Sequence, residues 1–387
     1  MLGDAAEAAD QAEVRMTNSV TRHFADLPDP RSPHGTRHPL TALITIAICA
    51  VICGAEDWVA VAGFGRARER WLRSFLDLSE HMPSDDTFRR VFALLDPEAF
   101  ERCFRCWAAA LAGMLCGVVS LDGKTLRRSF DTAADKAAIH MISAWAGEHG
   151  LVFGQLALDA KGNEITALPK LLELLDLKGL TVTIDAIGCQ KEIAAQVVAK
   201  GGDYVLAVKD NQPTLHADVR RVFENAAKGG WQGRVHDVHM ETDKGHGRIE
   251  RRMTIITWDP RDLIEARGWA GVRCLAEVRR ERIIGDRTTT TVHYFISGMD
   301  TRRASRIAEV CRAHWGVENR LHWRLDVCFN EDQCRLRKGH GAQNMSRLRR
   351  IGLNLLQRDR TQKMGIKNKR LMAGWSSDYL LQLLTSG

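Results

Sequence analysis

The chain holds 387 residues, 45% hydrophobic and 27% charged, which excludes a disordered or low-complexity protein and allows two domains, or one large domain carrying an insertion. The formal charge of +7 is uneven: residues 301–370 hold 18 Lys and Arg against 6 Asp and Glu, so the rest of the chain is net acidic. A basic segment on a mildly acidic body points to a polyanionic partner, most simply nucleic acid.

The opening "MLGDAAEAADQAEVR" is acidic and lacks an apolar core beside basic residues, so no secretory signal is expected and the cytoplasm is the predicted compartment. The Pro/Gly/His-rich stretch 26–40 reads as loop. The most apolar run, "LTALITIAICAVICG" (residues 40–54), is interrupted by Thr41 and Thr45. It falls short of the ~20 residues that span a bilayer, so it predicts a buried helix. "PSDDTFRRVFALLDPEAFERCFRCW" contains two helix starts, the first capped by Ser84 with Asp85 and Asp86 in its opening turn. Cys103 and Cys106 share the stripe Phe100, Phe104, Trp107, Leu111 and have no second CxxC partner, so they read as reduced core cysteines. Residues 1–112 are therefore a helical N-terminal domain.

From residue 113 the pattern turns to strands. "GVVSLDG" is an apolar run ending in a turn, and "HMISAWAGEHGLVFGQLALD" reads as two strands around Gly147–Gly150. A leucine-rich helix ("TALPKLLELLDL"), a strand ("LTVTIDAIG"), a helix ("QKEIAAQVVAK") and a strand ("DYVLAVKD") follow. A meander leading into alternating elements predicts an α/β mixed sheet with helices packed on it. "RIERRMTIITW", "RCLAEVRRERI" and "TTTTVHYFISG" read as antiparallel strands of a β-rich insertion at about 215–300. A basic helical region follows to 370, and residues 371–387 form a tail better suited to core or oligomer contacts than to ligands.

Asp122 ends the first strand in "VVSLDGKT" and Asp185 ends the fourth in "TVTIDAIGCQ". Each acid closes an apolar run at a strand end, where open α/β sheets build their sites. In "CRAHWGVENRLHWRLDVCFNED" (residues 311–332) Val310, Cys311, Val317, Leu321 and Leu325 mark one apolar helix face, and Glu318 sits at its edge. A carboxylate against a core needs a partner. The strand order is similar to the ribonuclease H-like fold, in which the first strand, the fourth strand and a later helix each present one carboxylate to a shared point. On that resemblance Glu318 faces metal ions held between Asp122 and Asp185.

Two other motifs give way. "DGKTL" mimics the end of a phosphate loop, but position 118 is Val118 where that loop needs glycine. Cys311, His314, His322, Cys328 and Cys334 match no zinc finger or ribbon spacing.

"SLDGKTLRRS", "TIDAIGCQ", "VKDNQPTL", "HGRIERR" and "HWGVENRLHWRLDVCFNED" resemble the DDE transposases of the H-repeat-associated insertion-sequence family. "HFADLPDPR", "HPL", "CGAEDW" and "PSDDTFRRVFALLDP" resemble its N-terminal associated domain. The resemblance runs from about residue 23 to 357. It implies Asp122, Asp185 and Glu318 as catalytic triad, two Mg²⁺ ions (with Mn²⁺ as substitute), and double-stranded DNA at transposon terminal inverted repeats as substrate. It further implies a homodimer on paired ends in a bacterial, nucleoid-associated setting. Lys124, Arg127, Arg128, Arg320, Arg324 and Lys338 are the candidate phosphate contacts. The chain departs from related transposases at Cys311, His314 and Leu325, which stand where a tyrosine, an arginine and a lysine are expected. A catalytically inactive or repurposed DNA-binding derivative would carry the same fold and basic segment.

Overall fold

The structure, a computed structural model, describes residues 20–385 except 35, 114–115, 132–136, 159–162, 246, 259 and 261–267. The acidic opening segment thus lies outside the described residues. The N-terminal region is helical, as its periodicity predicts: α1 (Leu40–Ile52), α2 (Trp58–Ala67), α3 (Asp85–Leu94) and α4 (Pro97–Ala112). Helix α1 is buried from Ala42 through Ile52, which its unbroken apolar composition demands. Ser84 caps α3 by accepting from the Thr87 amide at 3.2 Å, and Asp96 caps α4 from Glu98 at 3.0 Å. The expectation for the CxxC pair needs correction in one respect: all cysteines are free, but Cys106 points to solvent, one position off the buried stripe of α4.

Strands β1 (Gly117–Thr125), β2 (His140–Ala146) and β3 (Leu151–Ala157) form the meander. Helix α5 (Glu164–Glu173), β4 (Leu180–Ile184), α6 (Lys191–Ala199) and β5 (Asp203–Val208) follow. β1 pairs antiparallel with β2 and parallel with β4, and β4 pairs parallel with β5. Alternation divides the sheet residues between its faces. Val119, Leu121, Val182 and Ile184 join the main core with Leu168, Leu171, Ile193 and Val197 of α5 and α6. Val118 and Val205 join a second cluster with Ala304, Ile307 and Val310.

Helix α7 (Pro213–Lys228) and a strand β6 (His236–Gly245) open the expected insertion; neither is among the elements expected above, although Leu215, Val219 and Phe223 line one face of α7. β7 (Arg248–Thr257), β8 (Cys274–Ile284) and β9 (Arg287–Ser297) lie where alternation predicts strands. They do not make a second sheet. β9 pairs antiparallel with β5, giving one nine-stranded mixed sheet in the order β3-β2-β1-β4-β5-β9-β8-β7-β6. Asp237 on β6 accepts from the Ala304 amide at 2.7 Å, fixing the start of helix α8 (Ala304–Val317) over the sheet.

After α8 a π-helical turn, Glu318–His322, leads into α9 (Trp323–Phe329). Helix α10 (Gly341–Arg358) then runs back against α1, α3 and α4, and α11 (Ile366–Trp375) and α12 (Ser377–Thr385) close the chain. The basic C-terminal segment is therefore partly interior. Arg347, Arg349, Arg350, Lys369 and Arg370 are buried. Arg370 donates to the Ile52 and Val51 carbonyls at 3.2 and 2.8 Å, satisfying the open C-terminus of α1. Asn344 does the same for α3 at Phe92 and Leu95. No helix among the described residues is long and apolar enough to cross a bilayer.

Candidate active site

The last β1–β4 pair is Leu121↔Ile184. One residue further on stand Asp122 and Asp185, side by side on the face that carries Val118 and Ser120. That face is covered by α8: Ser120 donates to the Ala313 carbonyl at 3.5 Å. The C-terminal end of α8 therefore arrives over Asp122, carrying Glu318 with it. The π turn, a rare insertion favoured at functional sites, keeps Glu318 and His322 facing the same point. His322 Nδ1 lies 3.4 Å from Asp122 Oδ2 and 3.8 Å from Glu318 Oε2. Donor atoms of Asp122, Glu318 and His322 all lie within 4.8 Å of one another, the one such group among the described residues that could hold a metal ion. Asp185 is adjacent through the sheet but is not in that group.

Local contacts hold each acid. The Gly123 amide donates to Asp122 at 2.9 Å, and Asp185 caps its own 3₁₀ turn by accepting from Ile187 at 3.1 Å. Asn211 and Gln212 of "VKDNQ" clamp that turn by donating to the Ala186 and Cys189 carbonyls at 2.5 and 3.0 Å. A Cβ at Gly123 would strike the far ends of the Glu164 and His140 side chains, which pair with each other at 2.5 Å and would have to shift.

Burial, then the neighbouring Glu318, push the Asp122 carboxyl up to about 7, with Asp185 and Glu164 adding to the effect. Burial and Glu164 raise Asp185, against the turn amides and Lys209. Burial, with Arg350 and Lys124 nearby, pushes His322 down to about 4, so it is neutral. Gathered carboxylates repel, and a cation relieves them. The donor set fits a divalent ion: two carboxylates and an uncharged imidazole converge where negative charge is uncompensated.

Residues 117–355 match the family model described as "Transposase DDE domain", and residues 21–108 match "DDE_Tnp_1-associated". The chain belongs to the DDE transposase family. It is 38% identical over 371 residues to "H repeat-associated putative transposase YhhI" of Escherichia coli K12, covering 94% of this chain and 97% of that protein. It is 44% identical over 277 residues to "Uncharacterized protein in dhlA 3'region" of Xanthobacter autotrophicus, covering 71% and 92%. Among solved structures, the piggyBac transposase synaptic complex with hairpin DNA is similar across 97% of this chain and 77% of that one, at 10% identity and a TM-score of 0.42.

Around the acids of this transposase the candidate phosphate contacts are unequal. Lys124 sits between Asp326 and Asp332 at 2.8 and 3.0 Å with its side chain nearly covered. Arg127 is exposed and 3.2 Å from Asp332. Arg128 is half-buried. Arg320 is exposed on the π turn, two residues past Glu318, whereas Arg324 is half-buried and donates to Gln357 at 2.6 Å. Lys338 is exposed on the loop before α10. Of the residues set aside as unlikely zinc ligands, His322 alone reaches the acids. Glu164 and Lys209 also act on them, and periodicity marks neither one.

Proposed function

We propose that this transposase cuts phosphodiesters at the terminal inverted repeats of its own element and transfers the freed 3′ ends to target DNA. Asp122, Asp185 and Glu318 act as its triad. The observation that carries this reading is the meeting of Glu318 with Asp122 at the end of the Leu121↔Ile184 pair. The strand order β3-β2-β1-β4-β5, antiparallel in its first two pairings and parallel in the next two, supports a ribonuclease H-like core. We read residues 113–370 as the catalytic unit and the strands within 215–300 as its elaboration.

Asp122, Asp185 and Glu318 would hold two Mg²⁺ ions, or Mn²⁺ in their place, since hard cations favour carboxylate oxygen. When bound, such ions activate a water or a 3′-hydroxyl and stabilise the leaving oxygen. The protein's own part is positioning. The turn amides aim Asp185, Gly123 aims Asp122, and α8 delivers Glu318. Arg320 beside the triad, with Arg127 and Lys338, is exposed for backbone phosphate contacts that orient the duplex; the half-buried Arg128 and Arg324 are further candidates. Lys124, held by Asp326 and Asp332, braces α9 against β1. Paired ends call for a homodimer.

The test uses DNA flanking the gene in its own genome, incubated with purified protein and Mg²⁺ or Mn²⁺. Metal-dependent breaks at inverted repeats, absent with Glu318→Gln, establish the reaction. Binding without cleavage by either protein, in both metals, would make the chain an inactive DNA-binding derivative.

A further inference from the structure

His322 is buried, 5% exposed, yet it has none of the contacts that satisfy a core histidine. Its Nε2 is enclosed with no hydrogen-bond partner. Its Nδ1 faces only the two carboxylates, at 3.4 and 3.8 Å, both beyond a good hydrogen bond. Nδ1, the nitrogen turned to the acids, therefore lacks a close partner, and its place beside two carboxylates calls for an explanation such as an ion.

The spacings supply one. Around a small divalent ion bound at about 2.1 Å, adjacent ligand atoms lie roughly 3 Å apart and opposite ones about 4 Å apart. His322 Nδ1 lies within that range of both the Asp122 and the Glu318 oxygen, and the three donor atoms all lie within 4.8 Å of one another. The origin is local: the Trp323 amide donates to the Glu318 carbonyl across the π turn, so both side chains project toward β1. The α9 side is held by Lys124 on Asp326, and the α10 side by Arg350, which pairs with Glu331 at 2.9 Å and reaches Ser143 at 3.4 Å. Ser143 is the β2 partner of Asp122. The ring therefore stands in a frame tied to the same strands as the acid.

We infer that His322 is a nitrogen ligand of the metal shared by Asp122 and Glu318, making this a mixed nitrogen–oxygen site that accepts Mn²⁺ more readily than an all-carboxylate site does. The inference rests on the metal-dependent reading above. An oxygen-only cage suits Mg²⁺, while imidazole shifts preference toward first-row transition ions. Asp185, outside the three-residue group, is left to the second ion together with Asp122.

The experiment is Mn²⁺ titration of the full-length protein, followed by continuous-wave and pulsed electron paramagnetic resonance. Wild type, His322→Gln, Glu318→Gln and, as control, the half-buried histidine two turns earlier, His314→Gln, are compared. Wild type and His314→Gln should show a directly coordinated nitrogen coupled to Mn²⁺. His322→Gln should lose that coupling and bind Mn²⁺ about tenfold more weakly or worse, with a smaller loss for Mg²⁺. Labelling the histidines of wild type with ¹⁵N should change the coupling; should the variant fail to fold, that change establishes a histidine nitrogen on the metal, and its absence overturns the assignment. Tight Mn²⁺ binding by wild type that Glu318→Gln weakens, with no nitrogen coupling, overturns the His322 assignment and leaves the carboxylate site standing. Nitrogen coupling that persists in His322→Gln overturns it equally. Failure of wild type to bind Mn²⁺ overturns both this assignment and the metal-dependent reading.

Discussion

Arg347 on α10 donates through Nε to Glu101 on α4 at 2.8 Å, with both side chains buried. Glu101 also accepts from the Gln155 amide of β3 at 2.8 Å, so one carboxylate ties the N-terminal helices, the sheet and the C-terminal helix together. Removing one member leaves a charge enclosed without its partner. Arg347→Met should cost about 3–5 kcal/mol of stability, and Arg347→Met with Glu101→Leu should recover much of it. Urea unfolding midpoints of the three proteins check this; equal loss in single and double variants would contradict it.

Basic residues that hold the interior and those open to solvent should separate in DNA-binding assays. Each phosphate contact removed lowers the slope of log affinity against log salt by about one. Arg320→Ala and Lys338→Ala should each do so, being exposed. Arg349→Met, whose parent side chain is enclosed and donates to the Glu56 carbonyl at 3.3 Å, should leave the slope unchanged and lower stability instead. Slopes unchanged from wild type in both Arg320→Ala and Lys338→Ala would place the DNA elsewhere on the molecule.

At Gly123 the ends of two neighbouring side chains, not the backbone torsions, stand where a Cβ would go. Gly123→Ala drives Cβ into Glu164 and His140. A loss of about 1–3 kcal/mol is expected from such overpacking, together with reduced cleavage because Asp122 is displaced. Adding Glu164→Ala opens the space and should return part of the stability in thermal unfolding. No recovery would mean that the obstruction lies in His140 alone.

The acid side of the stability curve should carry the mark of Asp359. Against the opposing effect of burial, hydrogen bonds from Thr361, Tyr379 and Lys369 hold its carboxyl at about 2. A depressed folded-state value means the unfolded chain binds the proton more readily, so the contribution is present above the ordinary carboxylate range. It is lost as pH falls from about 4 toward 2. Wild type should exceed Asp359→Asn in urea midpoint at pH near neutrality, and the gap should close through that window. A gap independent of pH would show that the asparagine loses packing rather than charge.

Much of the fold is readable from residue order because its signals are local. The alternation of β7, β8 and β9, the stripe Phe88, Val91, Phe92 and the Ser84 cap each involve residues a few positions apart. Asp122 and Asp185 are legible for the same reason, each closing an apolar strand. Strand β6 escapes notice since it is mostly solvent-facing or half-buried, so its alternation carries no hydrophobic contrast; helix α7 does carry a signal, the stripe Leu215, Val219 and Phe223 behind an initial proline.

By itself, then, the sequence determined most of the elements and the family, and singled out the three acids as candidates, since periodicity and motif are properties of neighbouring residues. Only the tertiary structure decided which charges are interior. The partners of Arg347, Arg350 and Arg370 stand tens to hundreds of positions away in the chain, and an arginine that closes a helix end reads in sequence like one that grips a phosphate. It likewise decided that the insertion continues the main sheet, because β5 meets β9 across a long excursion. And it decided the place of His322. A π turn leaves no periodic trace, and one added residue per turn is enough to bring that ring to face Asp122.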